Sequence, residues 1–272
     1  MKKSISLLLI VLLASSLSWA QNKKTVNLDT FTKISFRVPG KLYLRQGSPQ
    51  KVEMEGDNDL LKELDPRVES GKLIIGKEGK WNWGMNWSKD EKVNVYVTVK
   101  DIDAISVSGS GDLIGQTKIT SGNLNLNVSG SGSLTIEATA SGELEADVSG
   151  SGHIDFKGSC ERFDSDVSGS GRITMDAVIQ NEASVGISGS GKIEASGSAK
   201  EMKASITGSG KVYASNFVVD KCEVRISGSG DVEINVKSDL DANITGSGSV
   251  SYKGNPSHIN SHSSGSGHVR KM

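Results

Sequence analysis

Three groups of residues in this chain have the types and spacing to do chemistry. GISGSGK at 186–192 fits G-x-x-x-x-G-K, most of a phosphate-cradling loop. Such a loop needs Ser or Thr next, to hold magnesium, and Ile193 stands there instead. The same glycines recur elsewhere without the lysine, so nucleotide binding is not expected. The second group is acidic: Glu145 and Asp147 are followed 19 residues later by Asp164 and Asp166. Calcium takes carboxylate oxygens from clusters of this kind. A polysaccharide lyase would add a basic residue to abstract a proton. The competing account is a solvated acidic patch, screened within ~8–10 Å. The third group is WNWGMNW at 81–87, with Trp81 and Trp83 separated by Asn82, and Trp83 and Trp87 by Gly84, Met85 and Asn86. Exposed tryptophans stack on sugar faces or anchor protein interfaces, and Asn82 and Asn86 stand ready as hydrogen-bond partners. The competing account is a hairpin whose indoles cover one end of the fold or a subunit partner.

Other candidate sites fail on spacing. Calcium-binding β-rolls need an aspartate in every nonapeptide, but only Asp112 and Asp231 directly follow a glycine triplet. Of the four histidines, His153 and His268 take outward strand positions, and His258 and His262 are four apart. A zinc site needs three or four convergent ligands. Serine is everywhere and histidine has no defined partner, so no Ser/His/Asp arrangement emerges. Neither a metal nor another cofactor is expected. A net charge of -1 and a pI near 6.4 give no reason to expect nucleic acid as partner.

The elements that position these residues follow from a repeat. Gly-Ser-Gly occurs nine times, starting at Gly109, Gly130, Gly150, Gly169, Gly189, Gly208, Gly228, Gly246 and Gly265, at intervals of 18 to 21 residues. A period this regular indicates a solenoid. Two residues before the triplets stand Val107, Val128, Val148, Val167, Ile187, Ile206, Ile226 and Ile244; four after the first glycine stand Leu113, Leu134, Ile154, Ile173, Ile193, Val212, Val232, Val250 and Val269. A further apolar column lies six before it. These offsets are all even, which puts the side chains on one face of a strand. The predicted fold is all-β: a single-stranded parallel β-helix of ~19–20 residues per coil, identical positions stacking at ~4.8 Å. By the same parity the glycines point inward at a coil corner, and two hydroxyl ladders, at the serine inside the triplet and the Ser/Thr before it, point outward. Flat Ser/Thr arrays of this kind raise ice binding as a weaker alternative. Cys222 takes an inward offset three coils from Cys160, ~14 Å along the axis. A disulfide needs Cα atoms within ~7 Å, so two free thiols are expected.

Residues 1–20 read as a secretory signal: Lys2 and Lys3, an apolar run from Ile5 to Leu13, then Ser18 and Ala20 before the cut. Its removal after Ala20 takes the net charge from -1 to -3. The run is too short to span a bilayer, and no membrane insertion is expected. The mature chain, 21–272, is read as one domain. Residues 21–100 form irregular coils and the cap, with DNDLLKELDP as a helical turn ended by Pro66; residues 101–272 form the regular coils.

The tandem SGSG turns, together with FTKISFRVPGKLYLRQGSPQKVEMEGDNDLLKEL, GKLIIG and KVNVYVTVKDIDAISVSGSGDL, resemble the head GIN domain family of auto-transporter adhesins, exported proteins of Bacteroidetes. The resemblance covers nearly all of residues 28–270. It implies a right-handed, pectin-lyase-like β-helix, no assigned catalytic residues and a role in adhesion. Five residues follow the last triplet, so no self-exporting barrel is expected. The expected function is that of a non-enzymatic surface, periplasmic or secreted protein binding a glycan or cell-surface protein, with a polysaccharide-active enzyme as the alternative.

Overall fold

Apolar residues recur at every second position of each repeat, and twenty residues cannot enclose them alone. Stacking is the solution. The computed structural model describes residues 23–76 and 93–272. From Ala104 onward it is a β-solenoid of about eight turns with parallel strands. Corner stacks on corner without slippage: Gly109 pairs with Gly130, Gly130 with Gly150, and so on to Gly246 with Gly265. One coil runs Glu143–Gly150, turns through the triplet, continues as His153–Cys160, and turns again before Arg162–Gly169.

The even-offset columns are the core. The column from Val107 to Ile244 is at most 3% exposed throughout, and the column from Leu113 to Val250 at most 1%. Phe156 and Phe163 stack inside one coil with ring centroids 6.0 Å apart. Cys160 and Cys222 are both buried and free, as the coil count requires.

The corner itself differs from the parity argument. The first glycine of each triplet is not buried; it has φ between +94° and +128°. Parity holds only while the strand continues, and the strand ends where this residue turns. The third glycine is the buried one, as at Gly171, where a Cβ would stand 2.4 Å from Val148 Cγ1. The corners are tied by main-chain bonds from the serine N–H to the glycine carbonyl below, 2.9 Å for Ser170 to Gly150. The serines flanking the first glycine are exposed from the second corner on. The two ladders therefore form a ridge folded over a turn rather than one flat wall.

The N-terminal end has a different strand order. Gly40–Gln46 lies between Asp112–Gly115 and Val93–Val99, parallel to both. Lys33–Phe36 lies between Ala104–Gly109 and Lys72–Ile75 in the same way. Beyond these the pairing turns antiparallel: Lys51–Glu55 on Val93–Val99, Lys23–Val26 on Lys51–Glu55, and Arg67–Glu69 on Lys72–Ile75. Antiparallel strands return by short turns, so a solenoid can stop without another crossover. The helix Asn58–Glu63, capped by Asp57 accepting from Asp59 N–H at 2.9 Å, buries Leu60 and Leu61; Leu64 follows, also buried.

Candidate functional site

The carboxylates singled out in the sequence do stack. Glu145 lies opposite Asp164, and Asp147 opposite Asp166, on the outer face of two neighbouring coils. Like charges placed directly opposite are destabilising in a sheet. Partial burial, then the Glu145 charge, raises Asp147 to about 6; burial, then Asp166, raises Asp164 as well. The carboxylates are partly engaged within the wall. Glu145 accepts from Asn125 Nδ2, and Asp147 Oδ1 accepts from the Asp166 N–H at 3.2 Å. Among the described residues no group of three or more His, Cys, Asp or Glu side chains is placed to hold a metal ion. The histidines do not converge: His153 faces Asp155 at 3.0 Å and His258 faces Asp239 at 3.2 Å.

One feature beside this patch escaped the sequence reading. The outward column Asn127, Asp147, Asp166, Gly186, Ser205, Arg225 loses its side chain at Gly186. The notch left there has Asp164 and Asp166 on one side and Lys203 and Arg225 on the other. Lys203 is held by Glu182 at 2.7 Å and Arg225 by Glu223. Reading the outward offsets column by column would have found it.

The tryptophan-rich stretch, Trp81, Asn82, Trp83, Trp87 and Asn86 included, lies outside the described residues. Its two ends do not. Ile75 and Val107 both pair with Phe36, so Ile75 stands where a coil enters its corner. Asn94 and Asp112 both pair with Lys41, so Val93 stands at the position of Gly111, the last glycine of a triplet. Three residues join Val107 to Gly111, whereas seventeen join Ile75 to Val93. The described residues on either side of the tryptophans thus stand on the two sides of a coil corner.

A solenoid whose corners repeat in register has counterparts among known proteins. The family model described as "Putative auto-transporter adhesin, head GIN domain" matches residues 30–195 and 177–256. The chain belongs to this family. Among solved structures, a Parabacteroides distasonis protein described as a "putative adhesin" is similar in fold, with a TM-score of 0.70 at 22% identity, covering 92% of this chain and 96% of its own. A Parabacteroides merdae protein with the same description gives 0.67 at 22%, covering 92% and 95%. A second P. distasonis protein, described as a "putative lipid binding protein", gives 0.66 at 22%, covering 92% and 96%. At this identity the likeness is one of fold. No curated protein sequence matches the chain. No helix among the described residues is long and apolar enough to cross a membrane.

Proposed function

We propose that this head GIN protein is an exported, non-enzymatic adhesin that grips a glycan or a cell-surface protein through its enlarged corner. The observation that supports this reading is the position of Ile75 and Val93, which flank the stretch bearing Trp81, Trp83 and Trp87 and stand on the two sides of a coil corner. The ridge offers hydroxyls but no rigid apolar anchors, and binding energy concentrates in aromatic anchors. The insertion supplies those anchors, with Asn82 and Asn86 as polar partners. Membership of an adhesin family and likeness to adhesin-labelled folds support the non-enzymatic role. Residues 1–20 serve as the export signal, and 21–272 act as one domain.

The test replaces Trp81, Trp83 and Trp87 together by alanine and screens the purified chain on a glycan array and on host-cell surfaces. The reading expects unchanged melting and lost binding. A lowered melting temperature or a changed oligomeric mass, with binding retained, would make the segment a cap instead.

A further inference from the structure

The residue after each triplet faces outward, and in one block of coils it is basic. Ser-Gly-His stands at 151–153, Ser-Gly-Arg at 170–172, and Ser-Gly-Lys at 190–192 and 209–211. These four coils are consecutive: His153 pairs with Arg172, Arg172 with Lys192, and Lys192 with Lys211. Ser133 precedes the row and Asp231 follows it. Three permanent cations and a histidine therefore stand ~4.8 Å apart in one line along the solenoid axis.

The fold does not require this row. The same position carries Asp112, Ser133, Asp231 and Ser249 in other coils, and those coils stack in the same register. Like charges directly opposite in neighbouring strands are destabilising. The wall offsets that cost only in part. His153 meets Asp155 at 3.0 Å, Lys192 meets Glu194 at 3.5 Å and Lys211 meets Asp231 at 3.1 Å. Solvent-exposed pairs of this kind are weak, so an incoming anion competes with them. The Arg172 guanidinium, exposed at the middle of the row, has no ion pair or hydrogen bond among the described residues.

Each basic residue has a hydroxyl beside it. Ser151, Ser170, Ser190 and Ser209 are exposed on the ridge, two residues before the basic one. A hydroxyl and a basic group at fixed offset thus repeat with the coil. A ligand that meets the whole row is linear, extended along the axis and anionic at a similar interval. A polysaccharide with a carboxylate or sulfate on successive sugars has that form, and its ring hydroxyls suit the serines. Double-stranded nucleic acid winds its charges around a cylinder, and the chain's net charge of -1 disfavours it. We propose that His153, Arg172, Lys192 and Lys211, with the serines beside them, bind a linear acidic glycan laid along the solenoid axis. This surface is separate from the stretch bearing the tryptophans and does not depend on it.

The probe is an end-labelled galacturonate oligomer, with one carboxylate per sugar, and its fully methyl-esterified form is the control. Anisotropy against the full chain at low salt should show binding of the acid, weakened by added salt, and none of the ester. That comparison needs no altered protein. Arg172→Ser, Lys192→Ser and Lys211→Ser together install the residue found at Ser133 and Ser249, and should weaken binding at least about tenfold with unchanged melting. Lys33→Ser, Lys62→Ser and Lys72→Ser, three exposed positions near the capped end, change the net charge equally and should leave binding within about twofold. The triple alanine variant of Trp81, Trp83 and Trp87 should bind the oligomer unchanged, so failure here and failure of the corner grip are told apart. Absent binding, equal binding of acid and ester, equal loss in the two serine variants, loss in the tryptophan variant, or equal binding of single-stranded DNA of the same charge would overturn the proposal.

Discussion

Replacing Gly169 by alanine tests whether the corner geometry or mere small size requires glycine there. Gly169 has φ +112°, a region that L side chains rarely adopt. Its added Cβ would stand 2.7 Å from Gly150 O, the oxygen that accepts the Ser170 N–H at 2.9 Å. The strained φ costs about 1–3 kcal/mol, and weakening that hydrogen bond adds about 1 kcal/mol. A total near 3 kcal/mol lowers the melting temperature by about 6–12 °C in a chain of this size. Ser170→Ala, one residue away and exposed, should stay within about 0.5 kcal/mol. Gly171→Ala separates two causes of loss. Its Cβ would meet Val148 Cγ1 at 2.4 Å and Gly152 O at 2.8 Å, with no positive φ. Overpacking there costs about 1–3 kcal/mol, and Val148→Ala should return part of it. No side-chain change should rescue Gly169→Ala, because its obstacle is backbone. Urea midpoints at constant m-value measure all four variants. Equal midpoints for Gly169→Ala and Ser170→Ala, or rescue of both glycine variants by Val148→Ala, would refute the backbone argument.

Three further outcomes follow from buried groups. Ser165 is fully buried, and its Oγ has no hydrogen-bond partner among the described residues; Ser165→Ala should raise stability by about 1 kcal/mol in urea denaturation, and a loss of that size would mean that the hydroxyl is satisfied. Burial pushes the Cys160 and Cys222 thiols up to about 12, so neither should react with a thiol reagent in the native chain, while denaturation without reductant should release two. The Asp147 carboxyl holds its proton up to about pH 6 when folded, against an ordinary value of 3.8. Folding therefore takes up a proton between those values, and stability falls as pH rises through that window. The melting temperature of the native chain should drop more between pH 4 and 6.5 than that of Asp147→Asn, and parallel curves would rule out the shift.

The solenoid was legible because its information is local and repeated. Even offsets from each triplet name the buried columns, and triplet pairs with triplet although the interval varies from 18 to 21 residues, the difference being taken up by register shifts such as that between Glu194 and Ser196. The same register delivered the acidic stack, since Glu145 and Asp164 share one offset. Parity misled at the first glycine of the triplet, because offset counting assumes a strand that the residue itself ends. The N-terminal coils were legible as strands but not as an order. Lys33–Phe36 sits between Ala104–Gly109 and Lys72–Ile75, a placement decided by long-range pairing with no periodic signal in the chain.

That strand order is also what gives the tryptophan segment its meaning. Along the sequence, residues 77–92 are only the stretch between GKLIIG and VNVYVTV, which suits a cap as well as a grip. Stacking changes the comparison. Ile75 aligns with Phe36 and Val107, and Val93 with Gly40 and Gly111, so positions joined by three residues in two coils are separated by seventeen in a third. A solenoid tolerates such an exchange because each corner touches only its neighbours above and below. A long corner adds loop entropy only logarithmically with length, while the walls that carry the stability stay in register. Insertions in repeat folds gather on one face for this reason, and that face is where binding develops. On the proposed reading, the triplet corners serve as the scaffold, and the stretch 76–92 is where a ligand would be met without disturbing the core.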